Sequence, residues 1–260
     1  MSLSVMDGLK HAIWIQTRPP LSRFKDELGD CVICGATTRF LYNPWVIGPD
    51  VARDLPSAIA DGYRRRESMW CSHCHASQRE RGLTSALLCY YGGGAPSLGA
   101  ALPVMAGLDI AEINRFNAAH QFLAMLPGIR YVEYPDEDIH NLSFAGESFD
   151  LVIRSDTLEH VADPARGLLE TLRVLRPGGR HIITVPIRPD LAKSHPRTGL
   201  ADVHHGRPPG LLRHFRRPTA DMLVRTDFGR DFMSQVEACG FEVEFHGEGV
   251  DVVFVARRPL

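Results

Sequence analysis

Lysine is nearly absent from this sequence: Lys10, Lys25 and Lys193 stand against 26 arginines in 260 residues. A GC-rich coding bias accounts for that skew more simply than arginine-specific anion recognition. Charge of one sign is also lacking. With 29 Lys+Arg and 31 Asp+Glu the formal net charge is −2, which argues against nucleic acid held by bulk charge as a partner. No apolar run reaches the roughly 18 residues needed to span a membrane. Residues 1–10 carry Asp7 and no long apolar core, so they do not read as a secretory signal. These absences predict a soluble, cytoplasmic protein. Disorder is excluded by 44% hydrophobic and 23% charged residues. The length fits one large domain, or one domain with a small module.

Cysteine is scarce too, but four of the six fall in two C-x2-C knuckles, Cys31-Val-Ile-Cys34 and Cys71-Ser-His-Cys74. In a reducing compartment these are thiols or metal ligands rather than disulfides. Each knuckle turns two sulfurs toward one point, and two knuckles complete a tetrahedral thiolate shell for zinc. Such a shell leaves no open coordination position, so the metal is assigned to folding rather than chemistry. His73 and His75 flank Cys74 as alternative ligands. Gly35 follows the first knuckle, where a tight turn is useful. Cys89 and Cys239 read as core residues. Pro44, Pro49 and Pro56 between the knuckles suggest loops or a short inserted element.

Beyond the second knuckle, 78–91 reads as a helix stopped by Gly92-Gly93-Gly94 and Pro96. Strands and helices then alternate. Residues 108–112 form a short strand ending in a carboxylate, 114–126 a helix stopped by Pro127-Gly128, 129–134 a strand carrying Glu133, and 149–153 an almost wholly apolar strand. Asp163-Pro164 is a helix start, an N-cap followed by proline at the first helical position. Ala165, Leu168, Leu169, Leu172 and Leu175 supply its apolar face. Pro177-Gly178-Gly179 ends that helix and turns into a strand over 181–185. A helix over 231–238, closed by Gly240, precedes a hairpin of 241–245 and 250–256. The pattern predicts an α/β fold: a mostly parallel sheet, helices on both faces, and an antiparallel C-terminal edge hairpin.

Four ordered stretches carry a family resemblance: Asp138-Ile139-His140-Asn141-Leu142-Ser143-Phe144, Ser148-Phe149-Asp150-Leu151-Val152-Ile153, Leu158-Glu159-His160-Val161 and Arg173-Val174-Leu175-Arg176-Pro177-Gly178-Gly179. Together they resemble class I S-adenosylmethionine-dependent methyltransferases, most of all the type 11 group, over residues 105–257. The resemblance implies a Rossmann-like domain over 78–260 behind a zinc-ribbon-like module over 1–77. It implies S-adenosylmethionine as cofactor beside the structural zinc, and methyl transfer to oxygen or nitrogen of a small-molecule acceptor such as a natural product or sugar. By the match, Asp138 receives the adenine amino group, Ile139 lies beside the ring and Glu133 holds the ribose hydroxyls. Ser155 and Asp156 stand where the cofactor's methionine end meets the acceptor. A carboxylate suits the adenine N6 donors because it only accepts.

One stretch departs from the family pattern. The first-strand loop is usually glycine-rich, whereas Asp109-Ile110-Ala111-Glu112-Ile113-Asn114-Arg115 has no glycine. In the subgroup this chain resembles, a Glu replaces that loop, which directs Glu112 at the cofactor's ammonium. A second alignment takes Gly92 to Gly94 as the glycine loop and Asp109 as the ribose acid.

Residues 188–217 hold seven Lys/Arg, two Asp and four His (His195, His204, His205 and His214). Pro189, Pro196, Pro208 and Pro209 within it, and Pro218 just after, argue against regular structure, and the segment reads as an acceptor lid over the cofactor mouth. Methyl transfer is an in-line displacement helped by orientation and often by a base. His160, His204 and His205 are the candidates, since imidazole titrates near neutrality. Four histidines near Asp202 also offer a second metal site, at a spacing that matches no familiar one. Two other readings stay open: the same fold binding the cofactor without methylating, and a zinc module recognising RNA or protein through Arg64-Arg65-Arg66.

Overall fold

A computed structural model describes residues 27–42, 55–115, 117–197 and 224–260. Apolar side chains alternate between two faces along the central strands, and that alternation decides the architecture. Strands β4 (Ile110–Ile113), β5 (Ile129–Val132), β6 (Phe149–Ser155), β7 (Leu175–Thr184), β10 (Glu242–His246) and β11 (Val253–Arg257) form one sheet. Its order is β10-β11-β7-β6-β4-β5. Leu151, Ile153, Ile182, Val253 and Val255 face one core, whereas Val152, Ile183, Phe254 and Ala256 face the other. Both faces therefore need helices. The first core is covered by α2 (Gln78–Tyr91), α3 (Leu98–Met105) and α4 (Asn117–Leu123), and the second by α5 (Pro164–Val174) and α6 (Phe232–Ala238).

The C-terminal hairpin sits at the sheet edge as expected, and the pairing refines it. Only β11 runs against its neighbours, and it lies inside the sheet between β7 and β10. Strands β4, β5, β6 and β7 are parallel. The chain leaves β4 for β5 on one side and returns to β6 on the other, so the sheet changes direction between β4 and β6. Crevices at the carboxyl ends of strands on either side of such a point are where open α/β sheets take ligands.

Local signals largely hold, with four differences. Helix α5 ends at Val174 and β7 begins at Leu175, so Pro177-Gly178-Gly179 falls within that strand rather than ending the helix. Ser77 and Glu80 form a reciprocal capping box at the start of α2, and Asp163 accepts the Arg166 N–H at the start of α5. The α4 helix begins at Asn117 rather than 114, because Asn114 closes β4 in a left-handed turn at φ 55°. Leu169 is exposed, since α5 turns Gly167, Leu168, Thr171 and Val174 inward. Cys89 is exposed on α2, not in the core as expected: the inward stripe runs through Leu83, Ala86 and Leu87.

Before the large sheet, β1 (Glu27–Asp30), β2 (Thr37–Tyr42) and β3 (Met69–Cys71) form a small antiparallel sheet, with α1 (Ser57–Ser68) leading directly into β3. Cys31, Ile33, Cys71 and Ala76 belong to the same buried cluster as Leu83, Leu98 and Leu151. Packing is continuous across 77/78.

Candidate functional site

The two knuckles fold alike. In each, the first cysteine's N–H and carbonyl bracket the turn: Cys31 N–H donates to Ala36 O and Gly35 N–H to Cys31 O, and Cys71 and His75 repeat the pattern. The residue after each second cysteine is left-handed, Gly35 at φ 75° and His75 at φ 62°. All four sulfurs lie within 4.8 Å of one another, with Cys31–Cys74 at 3.7 Å and Cys34–Cys71 at 3.8 Å. A regular tetrahedron with metal–sulfur bonds of about 2.3 Å has edges of about 3.8 Å, so the set fits zinc. Hydrogen bonding with Cys74 pushes the Cys31 thiol down to about 4, while the same contact pushes Cys74 up and burial pushes Cys34 up. Within the cluster one sulfur is thus favoured as thiolate at its neighbours' expense. Among the described residues, the one group placed to hold a metal consists of these four cysteines, without His73 or His75. Arg81 lies over the Phe40 ring at 4.0 Å and donates to the carbonyls of Met69 and Ala76, beside the cluster.

The second assembly lies at the carboxyl ends of the strands. Asn114 supplies there the left-handed residue that glycine usually provides, a conformation Asn adopts more readily than most. Its Nδ2 donates to Thr157 Oγ1 at 3.1 Å, bridging the β4 and β6 ends across the change of direction. Glu112 is buried one turn of the pleat earlier, and its Oε2 lies 2.9 Å from His120 Nδ1. Glu133, just past β5, is half exposed and paired with Arg115 at 3.4 Å, the same arginine that lies over Tyr131.

Asp138 is half exposed, and its Oδ1 accepts both the His140 N–H at 2.9 Å and His140 Nδ1 at 2.7 Å. The Asp163 N–H donates to His140 Nε2, which fixes the proton on Nδ1. The backbone N–H of His140, then its ring, hold the Asp138 carboxyl below its ordinary range. These contacts all fall on Oδ1. Ile139 is buried behind it, against Gly167 of α5.

At the end of β6, Ser155 is partly exposed and Asp156 is buried. Asp156 sits in the left-handed region at φ 44° and accepts both Arg66 guanidinium nitrogens at 2.6 Å. Thr184 Oγ1 donates to Asp156 Oδ1 at 2.9 Å and lies 3.1 Å from Ser155 Oγ, which also accepts from Arg79. Glu67 lies between the two arginines, bonding to Arg66 and to Arg79 Nε at 3.0 Å. A charge-balanced, buried cluster therefore closes the end of β6.

Sequence reasoning missed Arg66 and Arg79. Arg64-Arg65-Arg66 read as one footprint for RNA or protein, yet the three diverge. Arg64 pairs with Asp61 and Arg65 with Glu27, while Arg66 is 1% exposed. The signal available was the helical spacing of Ala60, Tyr63 and Arg66, all buried on α1.

His160 follows in the turn Leu158–His160, its Nε2 3.5 Å from Glu159 Oε1. Burial first, and the Asp156 charge second, push Glu159 well above the ordinary glutamate range. The described flanks of the basic segment meet beside this turn. Arg225 donates its N–H to Glu159 O and its Nε to His160 O. Strand β8 (His195–Pro196) pairs with β9 (Thr226–Asp227), and Arg197 clasps Asp227. Gly229 is required there, because a Cβ would meet Lys193 C at 2.6 Å. His204, His205 and most of the proposed lid lie outside the described residues.

The second alignment fails on geometry. Tyr91 at the end of α2 donates to Asp150 O, and Arg176 binds both Asp109 and Asp150. Gly92 to Gly94 and Asp109 thus lie at the amino ends of the strands, opposite the mouth.

Comparison with known proteins bears on this arrangement. Residues 89–183 match the family described as a methyltransferase domain. Over 161 residues the chain is 40% identical to the phthiotriol/phenolphthiotriol dimycocerosates methyltransferase of Mycobacterium leprae, covering 59% of this chain and 56% of that protein. Over 74 residues it is 40% identical to the ubiquinone biosynthesis O-methyltransferase of a Methylobacterium species, 28% of each. The chain spans about half the length of the first relative and less of the second. A solved Thermotoga maritima protein described as a SAM-dependent methyltransferase is 18% identical, covering 58% of this chain and 83% of that one, with a TM-score of 0.37. The 4+2 cyclase SpnF is 15% identical, covering 81% and 94%, with a TM-score of 0.42. The segment that matches the methyltransferase domain runs from within α2 to within β7.

Proposed function

From that match we propose that the chain is a methyltransferase drawing its methyl group from S-adenosylmethionine, with zinc in the four-cysteine cluster serving the fold. The carrying observation is the pair of half-exposed carboxylates, Glu133 and Asp138, beside the β4–β6 change of direction within the matched segment. The cofactor supplies a methyl group activated on a sulfonium. This chain's residues do the holding. Asp138 Oδ2 is the acceptor left for the adenine amino group, Ile139 backs the ring, and Glu133 keeps an oxygen for the ribose. The Asn114 turn lets the backbone approach the methionine end, beside Ser155.

Glu112 is assigned a different part from the one the resemblance suggests. Buried and bonded to His120, it props α4 against β4 rather than reaching the ammonium. Asp156 likewise shapes the mouth through Arg66. His160 remains the described base candidate, on the turn where both flanks of the basic segment converge. The acceptor is proposed as a small molecule with a hydroxyl or amine, entering under residues 188–217, where the local charge is +5. No described helix is long and apolar enough to cross a membrane.

Isothermal titration of zinc-replete protein with S-adenosylmethionine and S-adenosylhomocysteine tests the reading. Binding by neither sinks it. Asp138→Ala is expected to weaken S-adenosylhomocysteine binding by about tenfold or more, the worth of one charge-assisted hydrogen bond. Unchanged affinity would remove the adenine assignment.

A further inference from the structure

We infer that Arg66 and Arg79, which bracket the second knuckle, are positioning residues through which metal in the cysteine cluster sets the geometry of the β6 end. The inference rests on the zinc reading above. Arg66 stands five residues before Cys71 and Arg79 five after Cys74. Neither is joined to its cysteine by a long loop. Helix α1 ends at Ser68 and passes straight into β3, whose last residue is Cys71; Ser77, three residues past Cys74, caps α2. The knuckle is thus a short hinge carrying two helical arms. Both arms reach the same place, Arg66 bidentate on Asp156 and Arg79 on Ser155 Oγ, with Arg79 Nε 3.5 Å from Asp156.

The target needs such restraint. Asp156 is a non-glycine residue held at φ 44°, a conformation that persists only when its surroundings over-determine it. Thr184 fixes it from the β7 side, and Arg66 from the α1 side. Thr157, the next residue, receives the Asn114 side chain, so the same backbone turn sets the bridge between the β4 and β6 ends.

The hinge is held on one side by β2, whose Phe40, Leu41 and Tyr42 pair with β3 and whose Arg39 carbonyl accepts the Ser72 N–H, and on the other by the first knuckle. Val32 and Ile33 carbonyls accept N–H groups of Leu98 and Gly99 at 2.7 and 3.2 Å, which anchors the first knuckle to α3. Sulfur-to-sulfur contacts then join the second knuckle to it. Weak S–H contacts hold that joint loosely, whereas four metal–thiolate bonds hold it firmly. Arginine suits the far end because its planar fork spans both Asp156 oxygens, which an ammonium does not.

Hydrogen exchange on zinc-loaded and chelated full-length protein tests this without any cofactor. Chelation is expected to raise exchange at both knuckles and also over 155–161, while β11 keeps its protection. Zinc-loaded Arg66→Met is expected to show the same rise over 155–161 with one zinc still bound, and chelation should add nothing further there. Arg66→Lys should fall between wild type and Arg66→Met, which guards against a variant that merely misfolds. In titrations, chelated wild type and loaded Arg66→Met should bind S-adenosylhomocysteine about tenfold more weakly than loaded wild type, by a common factor. Unaltered exchange over 155–161, loss of β11 protection as well, or an equal effect of chelation in Arg66→Met each overturns the inference. Failure of loaded wild type to bind S-adenosylhomocysteine sinks the methyltransferase reading instead, and the exchange result still decides the coupling.

Discussion

Gly167→Ala separates stability from binding at the proposed adenine wall. Gly167 lies early in α5, and a Cβ there would meet Ile139 Cδ1 at 3.1 Å, Ile139 Cγ1 at 3.4 Å and Leu158 Cδ2 at 3.5 Å. Replacing glycine by alanine inside a helix gains about 0.8–1 kcal/mol from propensity. Overpacking a core by a methyl group costs about 1–3 kcal/mol. The nearest atom is the free end of a side chain, so the low end of that range applies. The two terms nearly cancel, and the unfolding midpoint should move by no more than about 4 °C.

Ile139 must still move, and α5 blocks one direction. It is displaced toward the outward face it shares with Asp138, where the adenine is proposed to lie. Affinity for S-adenosylhomocysteine is therefore expected to fall about tenfold, or about 1.4 kcal/mol. Ile139→Val removes Cδ1 and by itself costs about 0.5–1.5 kcal/mol of stability. Combined with Gly167→Ala it should recover most of the lost affinity, a coupling that a double-mutant cycle by calorimetry and urea unfolding measures directly. A loss above about 3 kcal/mol in Gly167→Ala, or no recovery in the double variant, would refute the reasoning.

Three further outcomes are expected. Cys71→Ser should abolish stoichiometric zinc and lower the melting temperature, since metal binding to a closed shell is folding free energy; one zinc per chain in that variant contradicts the four-thiolate assignment. Asn114→Gly should cost about 1 kcal/mol, the lost bond to Thr157, whereas Asn114→Val should cost about 2–3 kcal/mol by adding left-handed strain; equal losses in urea unfolding would remove the backbone argument. Glu159→Gln addresses pH. Burial and the Asp156 charge raise the folded Glu159 pKa, so the stability present below the ordinary glutamate range is lost as pH rises through the folded value. Glutamine lacks that loss, so the variant should gain on wild type from about pH 4 upward; the reverse trend in melts across pH would show that the charged form is the favoured one.

Much of the fold was legible because its signals are local. Asp163 announces a helix start within a few residues, Gly240 a stop, and the cysteine spacing two turns that each present a pair of sulfurs. Strand alternation sufficed for a two-sided parallel sheet, but not for Asn114, whose asparagine hid a turn expected to need glycine. Cys89 and Leu169 were misplaced for a related reason. Their helices are apolar enough that period alone does not say which stripe meets the sheet.

The sequence by itself determined the two knuckles and the alternating elements, since each depends on residues close in the chain, while Glu133 and Asp138 were singled out by the family resemblance. Only the tertiary structure decided which of three adjacent arginines is buried, and that Asp156 is clamped rather than open. That pair is 90 residues apart, and a buried ion pair forms only where two packed elements bring both charges out of water together. The near absence of lysine left arginine as almost the sole cation, and the fold put one arginine where only its forked geometry serves.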